Sequence, residues 1–95
     1  MYDDSEWTPE INQALELVQE EGCEQALVEV GRVLGMGKGK YKPQHWRAQS
    51  YEFQLEKAEG HLIRTGREDE SGHLHLAHTI SRLLFALQWE LDDNL

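Results

Sequence analysis

The stretch Leu76-Ala-His-Thr-Ile80-Ser-Arg-Leu83-Leu84-Phe-Ala-Leu87-Gln-Trp-Glu-Leu91 decides the fold class. Its Leu and Ile residues recur at three- and four-residue spacings, which places them on one broad side of a helix of about five turns. A stripe this apolar is expected to face a core. Working backwards, Arg67 to Gly72 is a short polar connection. Before it, Tyr51, Leu55, Ala58 and Leu62 predict a helix from about Ser50, with Gly66 placed to end it. Residues 35–43, Gly-Met-Gly-Lys-Gly-Lys-Tyr-Lys-Pro, carry too many breakers for helix or strand and read as a loop.

Two further helices are expected upstream. Thr8-Pro9-Glu10 is a start signal, with Thr8 able to cap, Pro9 suited to the first turn and Glu10 to the positive end of the dipole. Ile11, Ala14, Leu15 and Val18 follow at helical spacing, and Gly22 offers a stop. Cys23, Ala26, Leu27, Val30, Val33 and Leu34 then form a stripe before Gly35, interrupted by Gly31, a poor helix former unless close packing needs the absent side chain. No strand-like alternation and no internal repeat are present. The expected architecture is all-α: one domain over 1–95, a small helical bundle of two long antiparallel helices preceded by shorter ones, with residues 1–7 flexible.

Composition narrows the function. The chain has 95 residues, 9 Lys plus Arg and 18 Asp plus Glu, a formal charge of −9. Phosphate-backbone binding draws on cationic side chains, so long nucleic acid is not an expected partner. No apolar run approaches the ~18 residues of a membrane span, and the acidic opening does not resemble a secretory signal, so a cytoplasmic protein is expected. The single cysteine, Cys23, reads as a small core thiol. A domain this short buries a limited share of its surface, and a homo-oligomer is the expected remedy.

The charge is unevenly spread. No acidic residue lies between Glu29 and Glu52, yet this stretch holds Arg32, Lys38, Lys40, Lys42 and Arg47, five of the nine basic side chains. In a glycine-rich loop, backbone amides approach an anion closely and lysines reach its oxygens. Tyr41 and Trp46 offer stacking surfaces for a base, and Arg47 a partner for phosphate. The segment therefore reads either as a nucleotide contact or as a solvated loop with Trp46 in the core. It lacks the Gly-Lys-Ser/Thr ending of the phosphate-binding loop.

Two other clusters bear chemistry. Glu52, Glu56 and Glu59 share a helical face, either as a solvated acidic surface or as oxygen ligands for Mg²⁺. His75 and His78, with Arg82 four residues further, lie more than a quarter turn from the leucine stripe, so they are not simply core histidines. Imidazoles so spaced can bind metal, exchange protons or donate to phosphate, or one can be structural and the other exposed.

These motifs resemble a known group. Ala26-Leu-Val-Glu-Val-Gly-Arg-Val-Leu34, Gly37 through Lys40-Tyr41, and Trp46-Arg47 look like the opening of the phage family called the dATP/dGTP diphosphohydrolase N-terminal domain. His61-Leu62 and Glu70-Ser-Gly-His-Leu-His75-Leu-Ala-His78 look like its second half, so the resemblance spans about residues 26–88. The family is similar to the all-α, MazG-like nucleotide pyrophosphohydrolases, which cut a nucleoside triphosphate between its α- and β-phosphates using Mg²⁺. The resemblance marks Glu29, Lys40, Tyr41, Trp46, Arg47, His61, Glu70, His75 and His78. Glu56-x-x-Glu59 fits the first half of the wider group's metal motif, while His75-x-x-His78 stands where Glu-x-x-Asp is usual and Arg82 stands where Asn is usual.

Three functions follow as expectations. As an enzyme, the chain would hold Mg²⁺ or Mn²⁺ on Glu29, Glu56 and Glu59, bind phosphates with Lys40, Arg47 and Arg82 and the base with Tyr41 or Trp46, and use His61, His75 and His78 to orient phosphate or water. As a non-catalytic anti-defence protein of a virus, acting in the host cytoplasm, it would sequester a nucleotide signal intact. As an acidic inhibitor, it would imitate nucleic acid through charge alone.

Overall fold

The computed structural model describes residues 4–92 and bears out the all-α reading, with four helices and, among the described residues, no strand beyond one isolated antiparallel bridge between Glu68 and Leu74. The helices are α1 (Asp4–Glu20), α2 (Glu24–Met36), α3 (Tyr51–Leu62) and α4 (His75–Leu91). Short 3₁₀ turns at Gly37–Gly39 and His45–Ala48 punctuate the segment between α2 and α3. No helix is long and apolar enough to cross a membrane among the described residues.

Helix α1 begins earlier than the Thr8-Pro9 signal suggests, at Asp4, with Pro9 inside it. A proline this near the start removes one backbone bond to the opening turn. Residues 1–3, expected to be flexible, lie outside the described residues. Gly22, with a φ of 74°, closes α1 in the left-handed conformation expected of a stop. Cys23 is not the core thiol its type suggests: it is exposed at the start of α2, its Sγ 3.5 Å from the Val18 carbonyl. Helix α2 runs through Gly31 and Gly35, and a Cβ at Gly31 would meet no neighbour within 4 Å, so close packing does not explain that glycine. Ser50 caps α3 by accepting a bond from the Phe53 amide at 3.0 Å.

Helices α3 and α4 run antiparallel. Tyr51 at the start of α3 donates to Glu90 near the end of α4 at 3.1 Å, Thr79 reaches the Ala58 carbonyl mid-way at 3.4 Å, and His61 meets His75 at the far end. They form the most closely associated pair; α2 packs on a second side of α4, and α1 rests mainly on α2. The core at these seams is built from small or polar residues: Val30, Ala58, Ala77 and Ala86, with Gln54, His75, Thr79 and Ser81 also buried. Thr79 and Ser81 satisfy their hydroxyls on α4's own carbonyls at His75 and Ala77.

The leucine stripe does not face this core. Leu76, Ile80, Leu83, Leu84, Leu87 and Leu91 remain 41–72% exposed. The face turned toward α3 instead carries His75, His78, Thr79, Arg82 and Ala86. The apolar periodicity located the helix correctly, but within one chain its most apolar side points outward.

Candidate functional site

The 35–49 segment folds back over the middle and end of α4, where Gln49 meets Arg82, Trp46 meets Phe85 and Trp89, and Arg47 meets Asp92. Tyr41 donates its amide to the Gly37 carbonyl at 2.8 Å, and Gln44 adopts a left-handed φ of 64°, turning the chain into the His45–Ala48 turn. This fold-back borders an open cleft of about 930 Å³, lined by the α2 end, the lysine loop, Trp46, Gln49, His61, Asp69, Glu70, His78, Arg82 and Phe85.

Most of the residues expected to bind ligand meet there. Lys40, Tyr41, Trp46 and Arg82 line the cavity, joined by Lys38 and Lys42. Tyr41 stacks on His45 at 4.7 Å and 11°, and Trp46 on Phe85 at 4.9 Å and 7°, so both aromatic rings are fixed by a second ring. Arg47 is placed differently. Its guanidinium lies over the Trp46 ring at 4.5 Å and pairs with Asp92 at 2.8 Å, and it is not among the lining residues. It supports the tryptophan from behind, and the Asp92 carboxyl beside it is held below its ordinary pKa chiefly by that bond.

Three histidines cluster where α3 meets α4. His61 and His75 approach Nδ1 to Nδ1 at 2.8 Å, and His61 stacks on His78 with centroids 4.7 Å apart. His75 is buried behind this pair and does not line the cavity. His78 Nε2 contacts Asp69 at 2.9 Å and the Ser71 hydroxyl at 3.3 Å. Burial, then the positive potential of His78, His75 and Arg82, lowers the His61 pKa and favours the neutral ring. Asp69 accepts from both the amide and the hydroxyl of Ser71. Burial alone would raise its pKa, but the Ser71 bonds and His78 outweigh that and bring it to about 2.

The expected metal carboxylates are not drawn into this cavity. Glu29 on α2 pairs with Arg32 and lies 3.6 Å from His73, while Glu56 and Glu59 are exposed on α3 and line no part of the cavity. Among the described residues, no three His, Cys, Asp or Glu side chains gather into a metal-holding set.

Sequence reasoning missed Asp69, Gln49, Gln54 and Phe85. Asp69 sits two residues before Ser71 with Gly72 beyond, an Asx-turn pattern that a closer reading of the connection signals. The two glutamines carry no sequence signal of their own, because their role depends on Arg82 reaching across from another helix.

The family described as "dATP/dGTP diphosphohydrolase, N-terminal" matches residues 10–95. The chain belongs to this family. No curated protein and no solved structure matches the chain. The matched range includes both the lysine-bearing loop and His78 of the His-Leu-Ala-His segment, which border one cavity.

Proposed function

We propose that this family member binds a purine nucleoside triphosphate in the cavity between the 35–49 segment and α4. The supporting observation is that one cavity is lined by three lysines and an arginine together with two ring-supported aromatic side chains. Cations and a stacking surface bordering the same cavity suit the two halves of a nucleotide. In this reading Lys38, Lys40 and Arg82 hold phosphates, Tyr41 holds the base, since Phe85 and the Arg47 guanidinium already cover Trp46, and His61 donates to a phosphate oxygen. The dATP/dGTP of the family description supports the purine preference.

Hydrolysis with Mg²⁺ or Mn²⁺ is the second reading, favoured by family membership. The carboxylates proposed to carry the ion, Glu29, Glu56 and Glu59, stand off the cavity in a single chain, so a metal-assisted reaction needs a further contribution. A homo-oligomer is part of the proposal: the outward leucine stripe of α4, with Ile11, Leu15 and Leu17 of α1, is more apolar surface than an isolated small domain ordinarily leaves open. The cytoplasm is the proposed compartment. Incubating the protein with pooled nucleotides and either metal, then identifying free and heat-released products by mass spectrometry, separates the readings. Monophosphate accumulating beyond one equivalent establishes turnover. Stoichiometric release of intact nucleotide establishes sequestration, the action of a viral anti-defence protein. Absence of any bound or altered nucleotide overturns both.

A further inference from the structure

Arg82 is half-buried and differs in what surrounds it from two exposed arginines of the chain. Arg32 is paired with Glu29 and Arg47 with Asp92. Arg82 has no acidic partner among the described residues. Its Nη1 donates to Gln54 Oε1 at 2.9 Å and to Gln49 Oε1 at 3.1 Å, two neutral amides. Gln54 is 0% exposed, and its own Nε2 donates to Gln49 Oε1 at 3.1 Å and to the Trp46 carbonyl at 3.2 Å. The three side chains therefore form a closed network that ties the guanidinium on α4 to the tryptophan turn. Its remaining N–H groups make no bond among the described residues, and the side chain lines the cavity.

Withdrawing a guanidinium from water without an anion is unfavourable, and burial here does oppose its charge. Amide oxygens fix its direction but leave its full charge in place. A carboxylate at position 49, where only the side-chain oxygen is used, would fix it equally well and neutralise it, whereas at position 54 it would forfeit the two bonds that Nε2 donates. Glutamine rather than glutamate at position 49 leaves the guanidinium itself without an anion.

We infer that Gln49 and Gln54 are positioning residues that hold Arg82 as a receptor for a phosphoryl group, so that the cavity selects phosphorylated over unphosphorylated nucleosides. This rests on the nucleotide reading above. The guanidinium fork meets a phosphate in the bidentate geometry that a lysine cannot offer.

The test is Gln49→Glu. Gln49 uses only its Oε1 in the network, so a carboxylate keeps both accepted bonds and places an anion against Arg82. Affinities for dATP and for deoxyadenosine are measured by calorimetry on the parent, Q49E and R82Q, alongside their melting temperatures. The expected result is that Q49E melts no lower than the parent, binds dATP about tenfold or more weakly and binds deoxyadenosine as the parent does. R82Q is expected to show the same selective loss and decides the matter if Q49E does not fold. Undiminished dATP affinity in the folded variants overturns the Arg82 assignment while leaving the nucleotide reading intact. A parent that binds deoxyadenosine as tightly as dATP also overturns it. A parent that binds neither overturns the nucleotide reading and this inference with it.

Discussion

His61 and His75 face each other Nδ1 to Nδ1 at 2.8 Å across the α3–α4 seam. Such a contact is a hydrogen bond only if one ring carries the proton at Nδ1 and the other presents a lone pair there. The two tautomers are therefore interlocked. His75, buried, sets what His61 presents to the cavity, and both rings cannot be charged without two N–H groups colliding.

This arrangement gives stability a pH dependence. His61 is partly buried and surrounded by His78, His75 and Arg82, with only Asp69 opposing them, and it binds a proton less readily in the fold than in the unfolded chain. The unfolded state therefore takes up more protons, so stability falls as pH drops below about 6.5, the unperturbed histidine value. Urea unfolding between pH 7.5 and 5 is expected to show this slope, and His61→Gln to flatten it. An equal slope in the variant contradicts the assignment.

Asp69 organises the connection that delivers His78. Asp69→Ala removes acceptors for the Ser71 amide, the Ser71 hydroxyl and His78 Nε2, and is expected to cost roughly 1–3 kcal/mol. Because its pKa lies at about 2, below the unfolded value, its contribution persists from neutral pH down and disappears only as pH falls through that value. Denaturant titration at pH 7 measures the loss, and a histidine NMR spectrum should show His78 displaced.

The outward stripe of α4 makes a prediction about mass. The parent is expected to scatter light as a multiple of 11.0 kDa, and the double variant Leu83→Glu/Leu87→Glu to approach the single-chain value while keeping its helical circular dichroism. A parent that stays at 11.0 kDa at all concentrations refutes association through this face.

Tyr41 offers the opposite pattern. Its side chain is exposed and carries no core contact beyond the stack on His45, so Tyr41→Ala should leave the melting temperature within a degree or two. Nucleotide affinity should fall by about 1–3 kcal/mol, the usual worth of one aromatic platform under a base. Calorimetry with dATP reads this directly.

Ala58 is buried at the α3–α4 seam, its carbonyl 3.4 Å from the Thr79 hydroxyl. Ala58→Leu has no room there and is expected to destabilise by about 1–3 kcal/mol through overpacking. A neutral effect would show that the seam opens readily.

Helix positions were legible because spacing reports them directly: the Leu76 to Leu91 repeat located α4, and Tyr51, Leu55, Ala58 and Leu62 located α3 from about Ser50. Which face turns inward was not legible. Periodicity identifies the most apolar side, and here that side is left uncovered in one chain while a side bearing His75, Thr79 and Arg82 packs on α3. The lysine loop and the tail-side histidines could be marked as chemistry-bearing from residue types. Their meeting in one cavity depends on the reversal at Gln44 and on the antiparallel register of α3 and α4, which no local pattern specifies. Arg47 looked interchangeable with Arg82 in sequence, and only the position of Asp92 distinguishes the neutralised cation from the unneutralised one.

On α4, the outward leucines and the cavity-facing His78, Arg82 and Phe85 are separated by nearly half a turn about the helix axis, counting about 100° per residue. Any copy that covers the leucines therefore arrives from the side away from the cavity. Assembly through that face would leave every opening accessible, and the ligand capacity of the assembly would scale with the number of chains rather than being halved by their contact.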